Sequence, residues 1–168
     1  MIDRRILLSS VAVLGGLMAF RWLRASDANA AGDKKFEIEK TAEEWRKQLT
    51  PAAYNVLREH GTERPFTSPL DKEKRKGVFA CAGCDLPLFS SETKFDSGTG
   101  WPSFYQTLPN AIGTTVDRTF MMVRTEVHCR RCGGHLGHVF EDGPKPTGLR
   151  YCMNGVSLTF KAGEVAPS

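Results

Sequence analysis

The sequence predicts a mainly β domain preceded by a short helical region, and three observations predict it. Short apolar or alternating segments recur beyond Gly77 between turns rich in glycine and proline, which is the spacing of antiparallel strands. Two matching Cys-x-x-Cys pairs, Cys81/Cys84 and Cys129/Cys132, lie within that region. Helix start and stop signals sit ahead of it, between residues 41 and 60.

Composition sets the bounds. With 40% apolar and 25% charged residues, sixteen glycines and nine prolines, the chain reads as globular with many turns, neither disordered nor collagen-like. At 168 residues it accommodates one domain and an N-terminal remainder. Half of the formal charge of +4 comes from Arg4, Arg5, Arg21 and Arg24 set against Asp3 and Asp27. The rest is too weakly basic to argue for nucleic acid or an acidic membrane surface as partner.

Residues 1–30 read as an export signal: paired Arg4 and Arg5, an apolar stretch from Ile6 to Phe20, and Ala28-Asn29-Ala30 as a small-residue cleavage site. The competing reading is a membrane anchor, but the apolar stretch falls short of the roughly 20 residues that span a bilayer. The expected organisation is a signal over 1–30 and a domain over 31–168, with no stable membrane insertion after cleavage. The run Asp3 to Leu8 is similar to twin-arginine export signals, with Asp3 and Leu7 as departures, so the expected destination is the periplasm.

Within the domain, Thr41 is placed to cap a helix with Glu43 and Glu44 in its first turn; Pro51 restarts a helix after Thr50, and His60-Gly61 stops it. Residues 62–77 are rich in charge and proline, and Asp71 to Lys76 reads as a solvated linker. The strand candidates are Val78 to Ala80, Leu86 to Phe89, Phe120 to His128, Val139 to Glu141, Leu149 to Met153 and Val156 to Phe160.

The five cysteines divide into the two pairs and a lone Cys152. Two such knuckles present four thiolates, Cys81, Cys84, Cys129 and Cys132, to one tetrahedral zinc. Gly83 and Gly133-Gly134 supply backbone freedom for the turns. Two disulfides or a redox dithiol are the alternatives, although a single redox pair would leave the second knuckle unexplained. A four-thiolate site has no open position, so the zinc would be structural. His128, beside Cys129, is then a surface or outer group and not a fifth ligand.

Strand alternation puts Arg150, Cys152 and Asn154 on one face. A cation there favours the thiolate, and an amide can hold substrate or water. A single cysteine in a strand is more often a small buried hydrophobe. His135 and His138 supply imidazoles that promote a thiolate and donate a proton, but their spacing suits one strand face only if Gly137 allows a bend.

These motifs, together with Gly100-Trp101-Pro102-Ser103-Phe104, His135-Leu136-Gly137-His138-Val139-Phe140 and Gly148-Leu149-Arg150-Tyr151-Cys152-Met153-Asn154, resemble the B-type methionine sulfoxide reductases over about residues 40–162. The resemblance implies two antiparallel sheets, a zinc site away from the active site, and reduction of methionine-R-sulfoxide. It implies Cys152 as nucleophile, oxidised to a sulfenic acid. By the same resemblance His135 and His138 would act as acid and orienting groups with Asn154 assisting, and Trp101, with Phe140 and Arg150, would form the substrate site. Partners would be oxidised proteins or peptides and an external thiol reductant such as thioredoxin; the chain is expected to be a monomer. Where many members of that family carry a resolving cysteine, this chain has Thr99, which forms no disulfide and predicts a one-cysteine cycle. The rival class is a zinc-stabilised β binding module in which Cys152, Trp101 and the histidines merely pack.

Overall fold

The computed structural model describes residues 36–119 and 122–163. The predicted export signal, its cleavage site near Ala31, and Phe120 lie outside the described residues. Among the described residues no helix is long and apolar enough to cross a membrane.

Two short helices open the domain. α1 (Ala42–Gln48) begins at Thr41, whose hydroxyl accepts from the Glu44 backbone while Glu44 reaches back to the Thr41 N–H, a reciprocal capping box. α2 (Pro51–Glu59) is capped by Thr50, starts on proline, and ends at His60 in the left-handed conformation. Their buried faces carry Trp45, Leu49, Ala53, Val56 and Leu57.

Nine strands follow among the described residues: β1 (Gly77–Cys81), β2 (Pro87–Ser90), β3 (Lys94–Phe95), β4 (Ser103–Phe104), β5 (Ile112–Asp117), β6 (Arg124–Cys129), β7 (His135–Phe140), β8 (Arg150–Met153) and β9 (Leu158–Ala162). They form two antiparallel sheets, a three-stranded β2-β1-β9 and a six-stranded β3-β4-β8-β7-β6-β5. A run of rings joins the two sheets. Phe104 of the larger sheet stacks on Phe89 at 4.3 Å between centroids and meets Phe79 edge-on at 4.9 Å. All three are fully buried, and losing one such side chain to alanine typically costs about 3–5 kcal/mol.

Several expectations need correction. β6 begins at Arg124, four residues after the expected start, and β9 begins at Leu158 because Gly155–Ser157 forms a 3-10 turn. Only the end of β7 was expected: the strand starts at His135, where two histidines and a glycine had obscured the pattern. β5 was not expected, because Gly113 and two threonines dilute its alternation and half its residues are exposed. The run Asp71 to Lys76 is exposed at Lys72, Lys74, Arg75 and Lys76, as a solvated linker is, but not at Asp71. Asp71 is buried in a 3-10 turn over Pro69–Lys72 that the buried Ser68 caps, and Glu63 clasps the end of β8.

Candidate active site and cysteine cluster

The four paired cysteines converge. Cys81 Sγ lies 3.7 Å from Cys132 Sγ, Cys84 Sγ lies 3.5 Å from Cys129 Sγ, and all four sulfurs lie within 4.8 Å of one another. A tetrahedral zinc with Zn–S bonds of about 2.3 Å needs sulfurs about 3.8 Å apart, so the cluster fits that ion. The nearest sulfurs belong to different knuckles, and all four are free thiols, separations far beyond the roughly 2.05 Å of a disulfide.

The knuckles repeat one backbone design. Asp85 N–H donates to Cys81 O as Gly133 N–H donates to Cys129 O, and Cys81 N–H donates to Leu86 O as Cys129 N–H donates to Gly134 O. The left-handed residue follows the second cysteine in each, Asp85 at φ 61° and Gly133 at φ 68°. The backbone demand in the first turn therefore falls on Asp85 rather than on Gly83. Both helices secure the turns, Gln48 Nε2 donating to Gly83 O and Arg58 Nη1 to Cys132 O. His128 is not a surface group: it is buried, edge-on to Phe36.

Cys152 lies in β8 between two neighbours, paired with His138 of β7 on one side and Ser103 of β4 on the other. His138 in turn pairs with Glu126, which lies three residues, about 10 Å, along β6 from Cys129. A cavity of about 130 Å³ opens over Cys152, lined by Trp101, Gly137, His138, Phe140, Asn154 and Arg124.

The bend expected at Gly137 is a β-bulge. The β6–β7 register passes from Val127↔Gly137 to His128↔His135, leaving Leu136 unmatched. His135 and His138 are thereby brought together, with ring centroids 5.4 Å apart. Gly137 is needed because a Cβ there would lie 2.1 Å from the Cys152 carbonyl oxygen. The two histidines face different spaces, however. His138 borders the Cys152 cavity, whereas His135 lines an adjoining cavity of about 570 Å³ that His138 also borders.

Each imidazole is held by a carboxylate that the sequence reading missed. His138 Nε2 is 2.8 Å from Asp117 Oδ2, which also accepts from Arg124 at 2.6 Å. His135 Nδ1 is 2.8 Å from Glu126 Oε1. Hydrogen bonds from Thr119, then from His138, hold the Asp117 carboxyl far below its ordinary range. Glu126 is lowered chiefly by its bond to His135. Burial pushes His138 down despite Asp117. The consistent state is a neutral imidazole donating its Nε2 hydrogen to a carboxylate, which leaves Nδ1 as the basic nitrogen. Asp117 was out of view because β5 was, and Glu126 could have been found from its place two residues before His128 in β6.

Burial pushes the Cys152 thiol up, against the opposing pull of the Thr99 hydroxyl, the Arg150 charge and the Ser103 hydroxyl. Thr99 Oγ1 is 3.9 Å from Cys152 Sγ and 2.8 Å from Ser97 Oγ, which is 2.7 Å from Ser103 Oγ. Arg150 shares the thiol's face as expected, but its guanidinium is held by both oxygens of Asp142 at 2.8 Å and rests 4.5 Å from the Phe140 ring centre. The net effect on Cys152 is the opposite of a thiolate-favouring site.

Asn154 is buried directly after β8. Its Nδ2 donates to Leu136 O at 3.0 Å and its Oδ1 accepts from Glu63 N–H at 2.8 Å. Glu63 O accepts from Trp101 Nε1 at 3.0 Å, and its carboxylate accepts from Gly155 N–H at 2.6 Å. Asn154 and Trp101 are thus fixed by one clasp, and the bulge carbonyl of Leu136 is part of it.

Residues 49–162 match the SelR domain. Over 126 residues the chain is 57% identical to a peptide methionine sulfoxide reductase MsrB of Agrobacterium fabrum, covering 74% of this chain and 93% of that protein. It is 59% identical over 128 residues to the protein of that name from Methanosarcina barkeri, covering 76% and 90%. The Pseudomonas putida protein is 59% identical over 126 residues, covering 74% and 95%. With the match spanning both cysteine knuckles, the bulged His135–His138 strand and Cys152, the chain belongs to the SelR domain family of peptide methionine sulfoxide reductases.

Proposed function

We propose that this protein reduces methionine-R-sulfoxide in oxidised proteins or peptides to methionine, with Cys152 as nucleophile. The observation that carries the reading is the thiol at the floor of a small cavity walled by Trp101, Phe140 and His138. The indole face and the Phe140 ring suit the methyl on a polarised sulfur. Cys152 Sγ attacks the sulfoxide sulfur, with His138 placed to relay the thiol proton to the oxygen. Oxygen passes to Cys152: thiol and sulfoxide become sulfenic acid and thioether, sulfur of the enzyme losing the two electrons that the substrate gains. Asp117 keeps the His138 tautomer, and the Glu63–Asn154 clasp keeps Trp101 in place.

The sulfenic acid is then reduced by an external thiol, thioredoxin-like or small, since Thr99 offers no sulfur. The knuckle cysteines hold one structural zinc, which secures the fold and enters no step. The N-terminal 30 residues direct export to the periplasm. In support stand Arg4-Arg5, the apolar run and the Ala28–Ala30 site; a tagged chain recovered in the cytoplasm, unshortened, would refute it.

The test is activity on racemic methionine sulfoxide with chiral analysis of what remains. The R epimer should disappear and the S epimer persist, and Cys152→Ser should abolish turnover without loss of zinc. Consumption of both epimers, or substantial activity in the variant, would overturn the proposal.

A further inference from the structure

The larger cavity beside the Cys152 site brings three metal-ligand side chains together. His60 Nδ1 and His135 Nδ1 both converge on a single carboxylate oxygen, Glu126 Oε1, at 3.2 and 2.8 Å. The two rings are 5.2 Å apart, and the ligand atoms of all three residues lie within 4.8 Å of one another. Glu126 and His135 come from neighbouring strands, and His60 from the left-handed cap of α2.

We infer that His60, Glu126 and His135 form a second, open metal site that takes a zinc-class divalent ion and blocks the enzyme when filled. Two imidazoles and one carboxylate are a borderline donor set that suits zinc, nickel or copper rather than magnesium or calcium. Tetrahedral zinc with bonds of about 2.0–2.1 Å places ligand atoms about 3.3 Å apart, so only a few tenths of an ångström separate the two contacts from coordination distances. His60 has the freedom to adjust, its side chain being 65% exposed. His135 is buried and already aimed by Glu126. The fourth position faces the cavity of about 570 Å³, so water or an incoming ligand completes the site. Of the cavity's two arginines, Arg124 is bound to Asp117, and Arg118 lines the cavity together with the carboxylate of Glu59.

A bound ion displaces to solvent the proton that His135 Nδ1 donates to Glu126 and occupies the space shared with His138. The cysteine cluster is closed by four thiolates, whereas this site is open, so it fills reversibly with the metal supply. Binding does not depend on what Cys152 reduces; the inhibition rests on the proposed reductase activity.

The experiment uses zinc-loaded full-length protein carrying Cys152→Ser, which removes the thiol as a competing ligand. Equilibrium dialysis against micromolar zinc, with metal and protein quantified, should raise the content from one to two zinc ions per chain. Adding His60→Asn, which suits the left-handed position, should hold it at one. With Cys152 restored, His60→Asn should keep its turnover and tolerate at least tenfold more zinc than the parent before losing half of it. A second zinc retained in His60→Asn, or one zinc in both proteins, overturns the inference. A failure of activity alone would speak against the reductase reading and leave the zinc count to decide.

Discussion

Replacing Thr99 with cysteine should turn the proposed one-cysteine cycle into a two-cysteine cycle. Thr99 Oγ1 is 3.9 Å from Cys152 Sγ, and a disulfide needs about 2.05 Å between sulfurs. A longer C–S bond and a turn about χ1 at residue 99 supply most of that approach, on a segment held by hydroxyl contacts and free of regular structure. The positions are 53 residues apart, and closing a loop of that length removes chain entropy worth up to about 4 kcal/mol. For a domain of this size that raises the melting temperature of the oxidised variant by roughly 10 °C over its reduced form.

The assay mixes reduced Thr99→Cys with excess methionine-R-sulfoxide and no reductant, then maps peptides without reduction. The wild type should yield a sulfenic acid at Cys152 that a specific probe traps. The variant should yield a crosslink between positions 99 and 152, no trapped adduct, and the higher melting point. Persistent sulfenic acid in the variant would refute the placement of Thr99. A disulfide between Cys152 and a knuckle cysteine in the wild type would refute the division of the cysteines.

Three further outcomes follow from the same geometry. Asn154→Ala strands the Glu63 N–H and removes a bond from Leu136 O, so denaturant unfolding at fixed free zinc should show a loss of about 2–4 kcal/mol; a loss under about 1 kcal/mol would show that the clasp is not as described. Because burial raises Cys152, its alkylation by iodoacetamide should accelerate with pH to a midpoint above the ordinary thiol range, and Thr99→Val should move it higher; rapid alkylation in mild acid would contradict this. Cys129→Ser should give unstable, metal-poor protein on zinc analysis, since zinc-knuckle binding is worth roughly 10–16 kcal/mol; full zinc content would remove the cysteine cluster as the site.

What the sequence made legible were features whose signal is local. The cap at Thr41, the helix restart at Pro51 and stop at His60, the two knuckles, and the pairing of Arg150 with Cys152 on one strand face all follow from spacing over a few residues. The rest depends on partners that meet only through folding. Asp117 reaches His138 across the register of β5, β6 and β7, and Glu63 meets Asn154 over 91 positions. The charged run Asp71 to Lys76 reads as solvated linker and is mostly exposed, but charge could not show that Asp71 packs into a turn. The His135–His138 spacing was irregular for a strand, and the irregularity was itself the signal of the bulge.

The elevated thiol at Cys152 at first opposes its use as a nucleophile, since the thiolate is the reactive form. The reaction's balance resolves this. A thiol and a sulfoxide yield a sulfenic acid and a thioether, so the proton required by the departing oxygen is the one that Cys152 carries at rest. A site that ionised Cys152 permanently would have to draw that proton from solvent through a cavity of only about 130 Å³. Here burial keeps the proton on sulfur, burial also keeps His138 neutral, and Asp117 leaves its Nδ1 free to relay the charge. The Thr99 hydroxyl and the Arg150 charge favour the developing thiolate without forming it in advance. A buried thiol of this kind is slow toward general electrophiles, whose reactions return no use for the proton, and competent toward a sulfoxide, whose reaction consumes it.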